Sequence, residues 1–191
     1  MSSLRQRVEV IWCANRSTPN RRNGWSFPPA VRRQIEQDSE GLTVLHLFGG
    51  RATFGSRLDI DPTTRPDVVG DAWLPPFARD SFDVVILDPP YFRLNQQEKQ
   101  ALLAGAAWVA RRRVVWFHTI WIASDTRLHA ERAWLVRVGD TCYVRCLQYF
   151  QVSTERKRPP KRFFDRGPAM KYNRWLNGEM QLPFPARENN S

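Results

Sequence analysis

The feature that most constrains this chain is a succession of short apolar runs, rich in β-branched residues, that stop at a carboxylate or at paired glycines. Thr43-Val44-Leu45-His46-Leu47-Phe48 halts at Gly49-Gly50, and Arg57-Leu58-Asp59-Ile60 halts before Pro62. Val68-Val69 leads into Gly70-Asp71, and Phe82-Asp83-Val84-Val85-Ile86-Leu87 runs into Asp88-Pro89-Pro90. Runs of this kind read as strands, and their alternation with turn and helix signals from Thr43 to about Val152 predicts an α/β domain on a mostly parallel sheet.

Asn95 with Glu98 three residues later has the form of a capping box, and Ala101, Leu102, Leu103, Ala106, Ala107 and Val109 follow at helical spacing. Arg111, Arg112 and Arg113 come where a helix C-terminus favors cations. Val114 to Ile122 is then the next buried strand, and Ser124-Asp125 caps a short helix through Glu131. Trp134 to Val138 and Thr141 to Val152 alternate as strands around the turn-forming dipeptide Gly139-Asp140. The expected architecture is a Rossmann-like α/β fold whose mostly parallel sheet is closed by a C-terminal antiparallel hairpin.

With 191 residues the chain has the size of one domain. Residues 41–152 form the expected core. Residues 1–40 read as an N-terminal extension with a helix from Ala30 to Gln37, and residues 153–191 read as a basic, aromatic tail. The most hydrophobic stretch, Val114 to Ala123, is too short to span a bilayer and contains His118 and Thr119, and no signal-like apolar block follows Met1. These features predict a cytoplasmic protein with no membrane partner. Cys13, Cys142 and Cys146 are an odd number without framework spacing and suit a reducing compartment. Neither they nor His46, His118 and His129 have the companion spacing of a zinc site, so no metal is expected.

The formal net charge is +10, from 29 Lys and Arg against 19 Asp and Glu. Arginine, which dominates this excess, presents planar bidentate donors that match phosphate, so a nucleic-acid partner is one reading. A basic surface that serves solubility is the other.

The ordered pieces Leu45-His46-Leu47-Phe48-Gly49-Gly50, Leu58-Asp59-Ile60-Asp61-Pro62, Gly70-Asp71-Ala72 and Leu87-Asp88-Pro89-Pro90-Tyr91 resemble the motifs of class I S-adenosylmethionine (SAM)-dependent methyltransferases. The last piece resembles the Asp-Pro-Pro-Tyr signature of the amino-methylating group that acts on adenine, cytosine or guanine bases. The resemblance runs motif by motif from Phe27 to Tyr91 and only loosely through the later strands. It implies SAM as cofactor, with Phe48, Gly49 and Gly50 at its methionine part. It further implies Asp59 at the ribose hydroxyls, Asp71 at the adenine amine, and Ala72 and Trp73 flanking the adenine ring. Taken singly, each of these aspartates reads equally as a cap or a solvated loop residue.

In the same resemblance Asp88, Pro89, Pro90 and Tyr91 are the reaction center. An exocyclic amine conjugated to a base ring is a poor nucleophile. The Asp88 carboxylate and the Pro89 carbonyl would accept its hydrogens, the prolines would fix these acceptors, and Tyr91 with Phe92 would stack on an extruded base. Phe27-Pro28, ahead of a helix, is similar to an element that covers the cofactor's methionine end, and it reads as well as a staple of the N-terminal segment onto the core.

Three features depart from the family pattern. Ala52 stands where another glycine is common. His46 replaces the usual acidic residue of the glycine motif, leaving it either a cofactor contact or a hydrogen-bonded core histidine. The stretch from Gly50 to Asp59 is too short for the customary first crossover helix, so the connection is either a brief loop or a compromised cofactor site. Arg93, Arg158, Lys161 and Arg162 are candidate phosphate contacts within segments that interleave cations and aromatics, a composition that also fits a tail packed on the sheet with solvated charges. No block is large enough for a separate target-recognition domain, which leaves room for a partner protein in that role.

The function expected from all this is SAM-dependent methylation of an exocyclic amino group of a nucleic-acid base, adenine N6 in DNA first. A methyltransferase for a ribosomal or transfer RNA base (adenine N6 or guanine N2) is the second reading. A catalytically inactive, methyltransferase-like nucleic-acid-binding module is the third.

Overall fold

A computed structural model describes residues 7–13, 27–89, 94, 96–118, 127–138 and 144–153. Eight strands and two α-helices follow in the order β1 (Arg7–Cys13), α1 (Pro29–Asp38), β2 (Val44–Leu47), β3 (Ser56–Asp59), β4 (Val68–Val69), β5 (Phe82–Leu87), α2 (Gln96–Val109), β6 (Ala110–His118), β7 (Leu128–Val138) and β8 (Val144–Val152). They build one sheet with the spatial order β1-β7-β8-β6-β5-β2-β3-β4. The central pairs β2·β3, β2·β5, β3·β4 and β5·β6 are parallel, while β8 runs antiparallel between β6 and β7.

Successive residues of the central strands bury opposite faces, as the pleat requires. Leu45, Leu47, Val85, Leu87, Val114 and Trp116 face α2, which inserts Leu102, Leu103, Ala106 and Val109. Val44, Val84, Ile86, Val115 and Phe117 face α1, which inserts Val31 and Ile35. Burial on both sides explains why these strands read as unbroken apolar runs. Pro at the first position of α1 is pre-set for helix, and the Arg32 N–H donates to the Pro28 carbonyl at 2.9 Å.

At the amino edge of the sheet, Asp83 ties two strands together. Its carboxylate accepts from the Thr43 N–H at 3.1 Å and the Thr43 hydroxyl at 2.8 Å, and its own N–H donates back to that hydroxyl at 2.9 Å. The Arg111 guanidinium joins at 3.0 Å. These donors hold the Asp83 carboxyl below its usual range, led by the Thr43 backbone bond.

Three expectations change. Arg111, Arg112 and Arg113 lie in β6, which begins at Ala110 directly after α2, because pairing with Asp83 and Glu131 draws them to the sheet edge. The short helix through Glu131 is replaced from Leu128 onward by β7, whose residues pair with β8; its proposed cap, Ser124-Asp125, lies outside the described residues. The N-terminal extension supplies β1, parallel to β7, so the hairpin strands are interior to the sheet and β1 takes the edge. Among the described residues no helix is long and apolar enough to cross a membrane.

Only residues 48–55 connect the parallel strands β2 and β3, where a crossover usually needs about a dozen or more residues. The connection closes at Gly55, whose φ is +69° and whose missing side chain would stand 2.9 Å from the Val44 Cβ. Gly55→Ala adds both left-handed strain and a steric clash, so urea unfolding should show a loss of at least about 1–2 kcal/mol.

Candidate active site at the strand carboxyl ends

The order of strands reverses between β2 and β5: β3 and β4 lie beyond β2, whereas β6 and β8 lie beyond β5. Loops leaving two such strands diverge, and the crevice between them is where open α/β sheets bind ligands. Here one loop is Phe48-Gly49-Gly50 and the other is Asp88-Pro89. Leu47 and Leu87 are register partners, so the two loops start level with each other.

Phe48 adopts a φ of +64°, strained for a bulky side chain, and its ring meets Trp73 edge-on at 5.2 Å. Gly49 donates to the Leu58 carbonyl at 2.8 Å, and a Cβ on it would stand 2.6 Å from the Arg57 Cβ. Close approach to β3 thus accounts for Gly49 without any ligand. Gly50 donates to Asp59 Oδ2 at 2.8 Å, and Asp59 Oδ1 accepts from the Asp61 N–H at 3.0 Å. Each carboxylate oxygen keeps a second lone pair for a further donor. Arg57 holds the same turn from the other side, bonding the carbonyls of Gly50 at 3.2 Å and Thr64 at 3.4 Å as well as that of Arg65. Nothing in the sequence beyond a cation inside a strand points to this role.

Asp71 Oδ1 accepts from the Trp73 N–H at 2.9 Å, which turns Ala72 and Trp73 into buried positions against α2. Gly105 of α2 passes beneath them, where a Cβ would stand 3.4 Å from the Trp73 carbonyl. Burial pushes the Asp71 carboxyl up, and the Trp73 bond offsets part of that. A further donor at this carboxylate would relieve the charge.

His46 is buried on the α1 face, with its ring 4.7 Å from Phe54 and 6.2 Å from Phe27. It is hydrogen-bonded to the Phe54 backbone, while its Nε2 has no partner among the described residues. His46 and the short connection therefore explain each other. Phe54 belongs to the short 48–55 connection, and a neutral imidazole can donate to its carbonyl where an ionized acid cannot. Phe27 also packs edge-on against Phe117 at 5.8 Å, so the Phe27-Pro28 element is stapled to the core on this face.

Asp88 is half-buried and Pro89 buried at the end of β5. Beside them, on the α2 face, β6 and β8 carry a polar group that sequence reasoning did not single out. His118 and Gln148 are both buried, with Nε2 and Oε1 2.7 Å apart, so Nε2 donates to the amide oxygen. Trp116, next on the same face, meets His118 edge-on at 5.6 Å, and its buried indole Nε1 has no acceptor among the described residues. A polar atom in that state costs about 1–3 kcal/mol.

Phe27, Pro28, His46, Phe48, Gly49, Gly50, Asp59, Asp71, Ala72, Trp73, Asp88 and Pro89 are described, and all but Phe27, Pro28 and His46 belong to the strand-end loops or the ends of strands there. Pro90, Tyr91, Phe92, Arg93, Arg158, Lys161 and Arg162 lie outside the described residues.

No protein-family model matches the chain, and no curated protein matches it. Solved structures do. The Pyrococcus horikoshii OT3 protein PH0226 superposes with a TM-score of 0.50 at 13% identity, over 64% of this chain and 88% of that one. The Burkholderia thailandensis 1,6-didemethyltoxoflavin-N1-methyltransferase, solved with bound 1,6-didemethyltoxoflavin and S-adenosylhomocysteine, superposes with a TM-score of 0.52 at 9% identity, over 65% of this chain and 77% of that one. The fold is the Rossmann-like methyltransferase fold. In this methyltransferase fold the glycine loop and Asp88 flank the switch point.

Burial lowers the pKa of His46 and of His118 to about 4 in each case. Both folded values lie below the unfolded value of 6.5, so the stability they contribute is present above about pH 6.5 and is lost as pH falls toward 4. Each contributes up to about 3 kcal/mol to this loss. Denaturant midpoints measured from pH 7 to pH 4.5 should fall, and a His118→Gln variant should show a flatter profile.

Proposed function

We propose that this protein transfers a methyl group from SAM to the exocyclic amino group of a nucleic-acid base, adenine N6 in DNA before a base of RNA. The observation that carries this reading is the position of Asp88-Pro89 at the switch point, level with the glycine loop on the neighboring strand.

The residues on the other side of the crevice fit the cofactor. Asp59 retains lone pairs for ribose hydroxyls, and Asp71, raised by burial, suits an adenine amine as donor. Gly49-Gly50 provides backbone without side chains at the methionine end, and Ala72 and Trp73 provide an apolar flank for the ring. SAM bound there would supply an electrophilic methyl sulfonium. Asp88 and the Pro89 carbonyl would accept the hydrogens of the target amine and turn its lone pair toward that methyl, so catalysis rests on orientation and on acceptors fixed in advance. Tyr91 is assigned its stacking role by the sequence motif.

The polyanionic partner follows from the charge of +10 and from the cation-rich tail. A partner protein for target choice belongs to the same proposal.

Incubation with labeled SAM and separate DNA, ribosomal RNA and transfer RNA pools, followed by mass spectrometry of the methylated base, tests the reading. Label in adenine N6 of DNA is expected; label confined to an RNA pool would transfer the assignment to RNA. Absence of SAM binding by calorimetry at millimolar cofactor would favor an inactive binding module. Asp88→Ala should lower the transfer rate at least about 100-fold while SAM affinity stays near wild type, since Asp88 faces the amine and not the cofactor's adenosine.

A further inference from the structure

We infer that Trp116, His118 and Gln148 form the floor of the base pocket, with the Trp116 indole N–H reading the ring nitrogen that adjoins the amine to be methylated. This rests on the reading above and adds the specificity of its acceptor side.

Four observations support the floor. Trp116 is the register partner of Leu87, the residue before Asp88. The chain leaves β5 at Asp88 while β6 continues through Phe117 and His118, so His118 stands level with the strand end that carries the two amine acceptors. β8 presents Gln148 opposite Trp116 and Cys146 opposite His118, which puts all four side chains on one sheet face. That face lies on the α2 side: Leu94 packs into the apolar cluster containing Trp116, and Lys99 lies near enough for its charge to act on His118.

The chemistry of this floor is selective. Tryptophan is a donor only, and buried polar atoms in folded proteins are nearly always paired. The Trp116 N–H has no acceptor among the described residues, although His118 and Gln148 beside it are joined to each other. A ligand that brings an acceptor would complete it. Where Asp88 and Pro89 accept the two hydrogens of an amine, an adjacent donor matches a ring nitrogen with a lone pair next to that amine, which is the arrangement of adenine N6 with N1 and of cytosine N4 with N3. A site built to hydrogen-bond such an atom rejects an analog that lacks it, because its own donor is then left unpaired.

The test compares oligonucleotides carrying adenine, 1-deazaadenine or 7-deazaadenine at the methylated position; 3-deazacytosine replaces these analogs if cytosine is the labeled base. Wild-type kcat/KM should fall at least about 10-fold on the 1-deaza substrate and change little on the 7-deaza substrate. Trp116→Phe, which keeps a ring in the core and removes the N–H, should lose a similar factor on adenine and no longer distinguish adenine from 1-deazaadenine. Equal wild-type turnover of adenine and 1-deazaadenine overturns the inference without needing the variant, as does a folded Trp116→Phe protein that still discriminates. Absence of transfer to any nucleic acid by wild type, with SAM bound, overturns the underlying function instead, and the two failures are distinguishable.

Discussion

The tie between the ends of β2 and β3 is the constraint on which the rest of the site depends. No helix connects these paired strands, and beyond their ladder three contacts tie their carboxyl ends: the Gly49 N–H on the Leu58 carbonyl, the Gly50 N–H on the Asp59 carboxylate, and the Arg57 guanidinium on the Gly50 carbonyl. Gly49 lies so close to Arg57 that a side chain there would collide with β3. A larger gap would separate the glycine loop from Asp59, and with it the two parts of a cofactor site.

His46 belongs to the same construction. In a longer connection a helix would pack over the α1 face of β2. Here Phe54 folds back over that face, and the His46 ring both meets its ring edge-on and bonds its backbone. The histidine is thus part of the device that makes a brief connection possible, and its burial keeps it neutral.

The two edges of the sheet treat polar groups differently around β5. At its amino end Asp83 is saturated by Thr43, Arg111 and Arg112, a network that fixes strand register and leaves little to recruit. At its carboxyl end Asp88 and Pro89 lie beside the strand that carries Trp116, whose indole donor has no acceptor among the described residues.

The sequence by itself determined the central strands and α2, because two-sided burial writes continuous apolar runs and a helix writes its own spacing, and it located Gly49-Gly50, Asp59, Asp71 and Asp88 by their place at strand ends. It did not determine β1, the start of β6 at Ala110, or the strand character of Leu128–Glu131. Those segments are held by partners distant along the chain: Arg111 by Asp83, Arg113 by Glu131, β1 by β7. Nor did it disclose that His46 anchors Phe54, that Arg57 clamps the glycine turn, or that Trp116, His118 and Gln148 meet beside Asp88. Local pattern records which face a residue presents, whereas which residues face one another depends on strand order, and only the tertiary structure decides that.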